Sequence, residues 1–429
     1  MNSLGYLKED LLHYIWKSKS FDLSDLSTDK GETLVIQNFG FHNGNSGPDF
    51  IDAKIEIEGT KWAGNIELHI HSSDWDLHNH SSDPAYNNVI LHVVFNHDKD
   101  IILKNGRLLP TLELKSRIDH SLLHKYQRLM ENQNWVACES LVSPEDWSDF
   151  NLWKYRLVSN RLERKTQYFR NLLVATSNNW DEVCYKGFLR YMGSQTNAAP
   201  FEQLSQNLSY SILLKNVNSI LKLEALLFGV AGFLDEEGDD EYFKTLQVEW
   251  LHLKAKYSLN NMDAHVWKFY KMRPVGFPTI RIAQIAALMY KNPRPFTQFI
   301  DRKWSDSMYE SLEATPSEYW KTHYRFGVES KASSKKISKT MVQNLMVNVV
   351  VPLTFLYGKE TGVEEISQRG IELLDELPAE KNTIINHWKE LGVEAKSACD
   401  SQALIELKNE NCTLLKCMNC PIGIKNLKK

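Results

Sequence analysis

Residues Gly47 to Phe95 read GPDFIDAKIEIEGTKWAGNIELHIHSSDWDLHNHSSDPAYNNVILHVVF, the densest mixture of acids, histidines and strand formers in the chain. Two alternating segments open it, Phe50 to Glu58 and Trp62 to His71, separated by Gly59-Thr60. In the first, Ala53, Ile55 and Ile57 share one face, and Asp52, Lys54 and Glu56 the other. In the second, Ile66, Leu68 and Ile70 oppose Glu67, His69 and His71. Period-two alternation around a short glycine turn predicts a half-buried hairpin. Ser72 to Pro84 reads as a polar loop. Val89 to Phe95 is apolar on both faces apart from His92, the pattern of a strand covered on both sides.

Side chains two apart on a strand point the same way, so Glu67 and His69 lie side by side. A two-residue turn at Gly59-Thr60 sets Glu58 against Lys61 and, counting back, Asp52 against Glu67. Two carboxylates from adjacent strands, with a third polar group, suit a hard divalent cation such as Mg²⁺. Asp49 falls on the apolar face by parity and reaches the same place only through an irregular strand start. A second arrangement uses nitrogen. His69-x-His71, with Asp74, His78, His80, Asp83 or His92 nearby, could hold Zn²⁺ or Mn²⁺ with an open position, which would admit small-molecule substrates. Taken alone, His92 in its apolar run reads as a hydrogen-bonded core histidine.

Upstream, Leu7, Leu11, Leu12, Ile15 and Trp16 repeat at helical spacing, with Ser3 a candidate N-cap and Glu9 and His13 four apart on another face. Thr33 to Ile36 predicts a first strand. Phe39 to Gly47 is a loop rich in glycine and asparagine that leads into Pro48-Asp49. Downstream, Ile101 to Leu114 predicts a hairpin turning at Asn105-Gly106, and Ile118 to Asn132 a helix.

Pro48-Asp49, the intervening residues and Glu67-Leu68-His69 together resemble the PD-(D/E)XK nuclease motif, with histidine in place of the usual lysine. The resemblance covers roughly residues 5 to 115. It implies a mixed or antiparallel sheet domain opening in the order αβββ, and Mg²⁺ held by Asp49 or Asp52 with Glu67. His69 would stand where the lysine helps to activate water, and the substrate would be the phosphodiester bonds of DNA or RNA. In several nucleases of that superfamily the first helix donates a carboxylate, which makes Glu9 a candidate. Loss of the lysine also fits an inactive nuclease-like fold used for binding or scaffolding. The whole chain, with GPDF, WAGNIELH, SSDW and NVILHVV in this order, also resembles a bacterial family of unknown function.

From about Glu145 helical periodicity replaces strand signals until about Glu390. The expected organisation is α+β: a nuclease-like domain over 1–140, a helical domain over 145–392 and a four-cysteine tip over 393–429. Arg156, Arg161, Arg164, Lys165 and Arg170 interleave with apolar residues between Trp153 and Leu173, either as a stripe tracking phosphates or as a solvated helix face. Leu221 to Leu234 predicts a buried helix with close packing at Gly229 and Gly232. Leu345 to Tyr357 predicts another, which Pro352 kinks or breaks.

Cys399, Cys412, Cys417 and Cys420 give C-x12-C-x4-C-x2-C. Four clustered thiols in a reducing compartment point to metal, a [4Fe–4S] cluster or Zn²⁺. Cys138 and Cys184 are isolated in sequence and read as buried. Lys408, Lys416, Lys425, Lys428 and Lys429 make the tip basic, suited to a nucleic-acid backbone. The chain as a whole carries a net charge of −4, so it is not a polycation and nucleic-acid binding needs a local patch. The start lacks a secretory pattern, and the longest apolar run, Leu345 to Tyr357, is interrupted by Asn348 and Pro352. A cytoplasmic protein without membrane association is the expectation.

Overall fold

Helix α1 (Glu9–Ser18) buries Leu11, Leu12, Ile15 and Trp16 against a mixed sheet, and the Trp16 indole donates to the Phe39 carbonyl at 3.0 Å. The sheet runs β1 (Leu34–Asn38), β3 (Phe50–Ile57), β4 (Thr60–His71), β5 (Val89–Asn96) and β6 (Thr111–Glu113), with the short β2 (Phe41–His42) also pairing β3. Its first pairs are antiparallel, while β4, β5 and β6 run parallel. The computed structural model describes residues 7–44, 46–141, 150–235, 238, 240–301 and 306–428. Ser3, the onset of helical periodicity at Glu145 and Lys429 lie outside the described residues.

The hairpin register differs from the one read from sequence. Glu58 and Gly59, both at positive φ, form the turn, so Ile57 pairs with Thr60 and Glu56 with Lys61. A bulge then interrupts the ladder, and Phe50 pairs with Ile66. Asp52 sits in that bulge at φ 59 and is exposed. The turn one residue earlier moves the partner of Glu67 from Asp52 to Phe50, and the bulge, which adds one residue and reverses side-chain parity beyond it, moves it on to Asp49.

The second departure is burial. The C-terminal half of β4 is not half-exposed: Ile66, Glu67, Leu68 and His69 are all buried. A parallel partner needs a crossover, and here residues 72–88 fold over the polar face of β4. They carry helix α2 (Asp74–Leu77) and two single 3₁₀ turns. Trp75 and Tyr86 from this crossover pack with Val89, Ile101, Leu103 and Leu109. Asp98 anchors its start, accepting from the Ser73 amide at 2.9 Å and from the Ser72 and Ser73 hydroxyls at 2.9 and 2.8 Å. β5 is buried along its length up to Asn96, as its apolar pattern predicts. The Asn105-Gly106 hairpin shrinks to a bridge between Ile102 and Leu108, and the chain continues into β6 and helix α3 (His120–Glu131).

The chain divides into two compact units. The first comprises residues 1–152, 387–393 and 405–429, and the second 153–386 and 394–404. Residues 405–428 thus fall with the sheet in the first unit, and 394–404 in the second. Among its described residues the second unit is helical apart from a small hairpin, His323–Arg325 with Val328–Glu329, that sequence periodicity missed. Gly229 packs so closely on Trp250 that a Cβ there would sit 2.1 Å from the indole. Pro352 does not break its helix. A π-helical turn at Met346–Val350 absorbs it, and helix continues over Val351–Thr361. The stretch Lys339–Thr361 is long and apolar enough to cross a bilayer, but 78% of its most apolar window is buried within the protein, the environment of a core helix. Of the basic stripe, Arg161 and Lys165 are held by Gln402 at 2.6 and 3.0 Å, Lys165 also by Asn348, and Arg170 by Glu360 at 3.1 Å.

Candidate metal centre

Four side chains from β4 and its crossover converge beneath Trp75 and Tyr86. His69 Nε2 lies 3.1 Å from His78 Nδ1 and 3.3 Å from His80 Nε2. Glu67 Oε1 lies 3.2 Å from His80 Nε2 and 3.7 Å from His69 Nε2. Ligand atoms of the three histidines all fall within 4.8 Å of one another. The other nitrogen of His69 meets His92 Nε2 at 2.8 Å. Between His78 and His80, Asn79 adopts φ 57, and this left-handed turn lets both flanking rings reach His69. Asparagine tolerates that conformation better than most residues. Tyr86 stacks on His80 with ring centroids 3.8 Å apart, and Trp75 stands edge-on to His80 and His92.

The electrostatics follow from this enclosure. Burial, with the rings of His92, His80 and His78, pushes His69 down to about 2. Burial pushes His92 down to about 3. Glu67 is raised, chiefly by burial and then by the charge of Asp49, against the hydrogen bond from His80. A neutral imidazole has one donor, so the tautomers decide which of these contacts are hydrogen bonds, and every ring nitrogen left without a proton turns a lone pair towards the same space. A cation suits this donor set: three imidazole nitrogens and one carboxylate oxygen match Zn²⁺, Mn²⁺ or Fe²⁺ better than Mg²⁺.

Beside this cluster sits a second acid. The Asp49 amide donates to Glu67 Oε2 at 3.1 Å, and Asp49 Oδ2 accepts from the Leu68 amide at 2.9 Å. His13 Nε2 from α1 lies 3.3 Å from the same Asp49 oxygen. Burial works against charge on His13, but Asp49, Glu9 and Asp10 outweigh it and raise its pKa. Glu9 is raised by burial and feels His78, Asp49 and His13. His13 and His42 line a cavity of about 360 Å³ that is closed on another side by Met418, Asn419 and Ile424.

Of the residues singled out in sequence, Asp49, Glu67, His69, His78 and His80 meet here, with Glu9 at the edge. Asp52 does not: the bulge turns it to solvent, and it faces neither Glu67 nor His69. His71 is also outside, its amide donating to Asp74 at 2.8 Å, and Asp83 caps Ala85. His92, read as a core histidine, supports His69 from behind. Cys399 falls in the second unit beside Asp375, Lys154 and Asp400. Cys138, not Cys399, is among the groups that act on Cys412 and Cys417. His13 was visible only as a helix-face neighbour of Glu9, because the partner that defines it lies across the fold.

A family model described as "Protein of unknown function (DUF2851)" matches residues 9–383, from α1 through the sheet and most of the helical unit. The chain belongs to that family. No curated protein and no solved structure matches it. In this DUF2851 chain the matched segment contains every residue of the histidine cluster.

Proposed function

We propose that the N-terminal unit is a metal-dependent hydrolase, with phosphodiesters as its substrate class. The convergence of Glu67 Oε1 with His69 Nε2, His78 Nδ1 and His80 Nε2 carries this reading. These four groups would hold one divalent transition metal, which when bound supplies a water of lowered pKa and polarises the scissile group. His92 fixes the orientation of His69, as partners behind metal-ligating histidines do. Asp49 favours the charged form of His13 at the cavity wall, where a protonated ring can bind an anionic group or give a proton to a leaving oxygen. Trp75 and Tyr86 exclude water from the far side of the ligands. The phosphodiester class rests on the resemblance of Pro48-Asp49 and Glu67-x-His69 to the nuclease motif, and on the order of helix and strands around them.

A Mg²⁺-dependent nuclease of the PD-(D/E)XK type is the second reading. The observation favouring it is that Asp49 and Glu67 touch across adjacent strands, with Glu9 and His13 of the first helix beside them. In that case Asp49 and Glu67 hold the cation and His69 stays a buried neutral base.

Metal content and hydrolysis decide between them. The protein is purified without added metal, assayed for zinc, manganese and iron, and tested on bis(p-nitrophenyl) phosphate and on single- and double-stranded DNA and RNA. Retained transition metal that His78→Ala and His80→Ala remove, together with hydrolysis, supports the histidine centre. Hydrolysis that needs added Mg²⁺, survives His78→Ala and disappears in Asp49→Asn supports the second reading. No metal at this centre and no hydrolysis under any condition would overturn both and leave a binding or scaffolding role.

A further inference from the structure

We infer that Cys138, Cys412, Cys417 and Cys420 form a thiolate metal site in the first unit, with Cys138 as the ligand that sequence spacing conceals. Three stretches of chain meet there. The first follows α3, where Val136, Ala137 and Cys138 are buried. Trp135, next to them, stacks on His387 and lies under the Lys408 ammonium, which draws this stretch to the C-terminal segment. The second is the π-helical turn Leu407–Cys412 and its reversal. Leu415 takes φ 52 there, and the Thr413 and Lys416 amides close back on Lys408 and Asn411 at 2.9 Å. The third is the Cys417–Cys420 turn, closed by the Cys420 amide on the Cys417 carbonyl at 3.2 Å and leading into the helix Pro421–Lys428.

Cys412 feels Cys420, Cys138 and Cys417, and Cys417 feels Cys138 and Cys420, although no three of these sulfurs lie within 4.8 Å of one another as the histidine nitrogens do. A Cβ on Gly423 would lie 2.3 Å from the Cys417 carbonyl oxygen, so this close turn requires glycine.

Four grouped thiolates take a [4Fe–4S] cluster or a single Zn²⁺. Met418 and Asn419, the two residues inside C-x2-C, line the same cavity as His13, so the metal would hold one wall of that cavity in place.

The full-length chain, purified without oxygen, tests this as wild type, Cys138→Ser and Cys399→Ser, all in a His78→Ala/His80→Ala background that removes metal from the histidine centre. The wild-type cysteine set should carry about four irons with broad absorption in the visible, or about one zinc without it. Either result supports a thiolate site and names its metal. Cys399→Ser should keep the metal and Cys138→Ser should lose most of it. Full retention in Cys138→Ser, or no metal in the wild-type set after reconstitution with iron and sulfide or with zinc, overturns the assignment. Because Cys138→Ser could fail to fold, alkylation of the wild-type set is followed by mass spectrometry during chelation. Cys138 should become reactive together with Cys412, Cys417 and Cys420. Release of the other three while Cys138 keeps its original reactivity also overturns it.

Discussion

Asp49 and Glu67 are joined through the main chain: the Asp49 amide donates to the Glu67 carboxylate at 3.1 Å, while the Asp49 carboxylate takes the amide of Leu68, the residue after Glu67. Each acid holds the other's strand in place. Glu67 keeps its second oxygen directed at His80, whereas Asp49 directs its charge at His13. Their substitutions should therefore separate.

Glu67→Gln should lower the affinity of the histidine centre for metal by at least about tenfold, the scale on which groups around metal sites act. Asp49→Asn should leave metal content near wild type and slow turnover by about 10²-fold, the lower end for lost acid–base assistance. Titration with a chelator and initial rates measure the two effects. Loss of metal in Asp49→Asn would contradict this division of roles.

His92→Ala should weaken metal binding by about 10- to 100-fold without removing a ligand, because His69 loses the partner of its far nitrogen. Equilibrium competition against a metal indicator reads this directly. Wild-type affinity in the variant would make His92 a packing residue only.

Asp52 provides the contrast. It is exposed and sits at φ 59, so Asp52→Gly relieves a conformation that glycine adopts freely. The substitution should keep metal content and activity and change stability by less than about 1 kcal/mol in either direction. A metal-depleted Asp52→Gly protein would restore the hairpin register counted from sequence.

In the helical unit, Glu224 is buried and accepts from Ser317 at 2.9 Å and Trp320 at 3.2 Å, and from the Tyr242 hydroxyl. Burial raises it to about 7. Its folded pKa exceeds its unfolded value, so the folded state holds the proton more tightly. The stabilisation is complete below about pH 4.5 and is lost as pH rises towards about 7, at up to about 1.4 kcal/mol per pH unit. Glu224→Gln should flatten that slope in denaturant titrations at pH 5, 6 and 7. An unchanged slope would mean that another group sets it.

Gly229→Ala in the same unit should cost about 1–3 kcal/mol, since its methyl would overlap the Trp250 indole and the surrounding helices are closely packed. Thermal or denaturant unfolding measures this. A neutral substitution would show that Trp250 can move aside.

Much of the sheet was legible because alternation and turn residues act locally. β3 and β4 follow the Ile55-Ile57 and Ile66-Leu68 pattern, and β5 its uninterrupted apolar run. What sequence could not reveal was set at a distance. The turn position and the bulge that together exchange Asp52 for Asp49 arise from backbone pairing with β4 and leave no mark in residue alternation. The burial of Glu67 and His69 depends on where residues 72–88 fold after they leave the strand. His78 and His80 stood in sequence among several polar candidates of the loop, and only the Asn79 turn selects them over Asp74 and Asp83. Spacing along the chain grouped Cys399 with the last three cysteines, because neighbours in sequence are the only neighbours that spacing can report. Cys138 is separated from Cys412 by the whole helical unit.

The discontinuous first unit has a consequence for synthesis. Its sheet and α3 precede residue 152, but residues 405–428 emerge only after about 250 further residues, tens of seconds at about 5–20 residues per second. Through that interval the nascent sheet lacks the segment that completes it, and Trp135 and Cys138 wait without their partners. A ribosome-bound chain stopped before residue 405 should be more open to protease at residues 120–141 than the released protein, and a chaperone that shields this face would have its longest opportunity to act there.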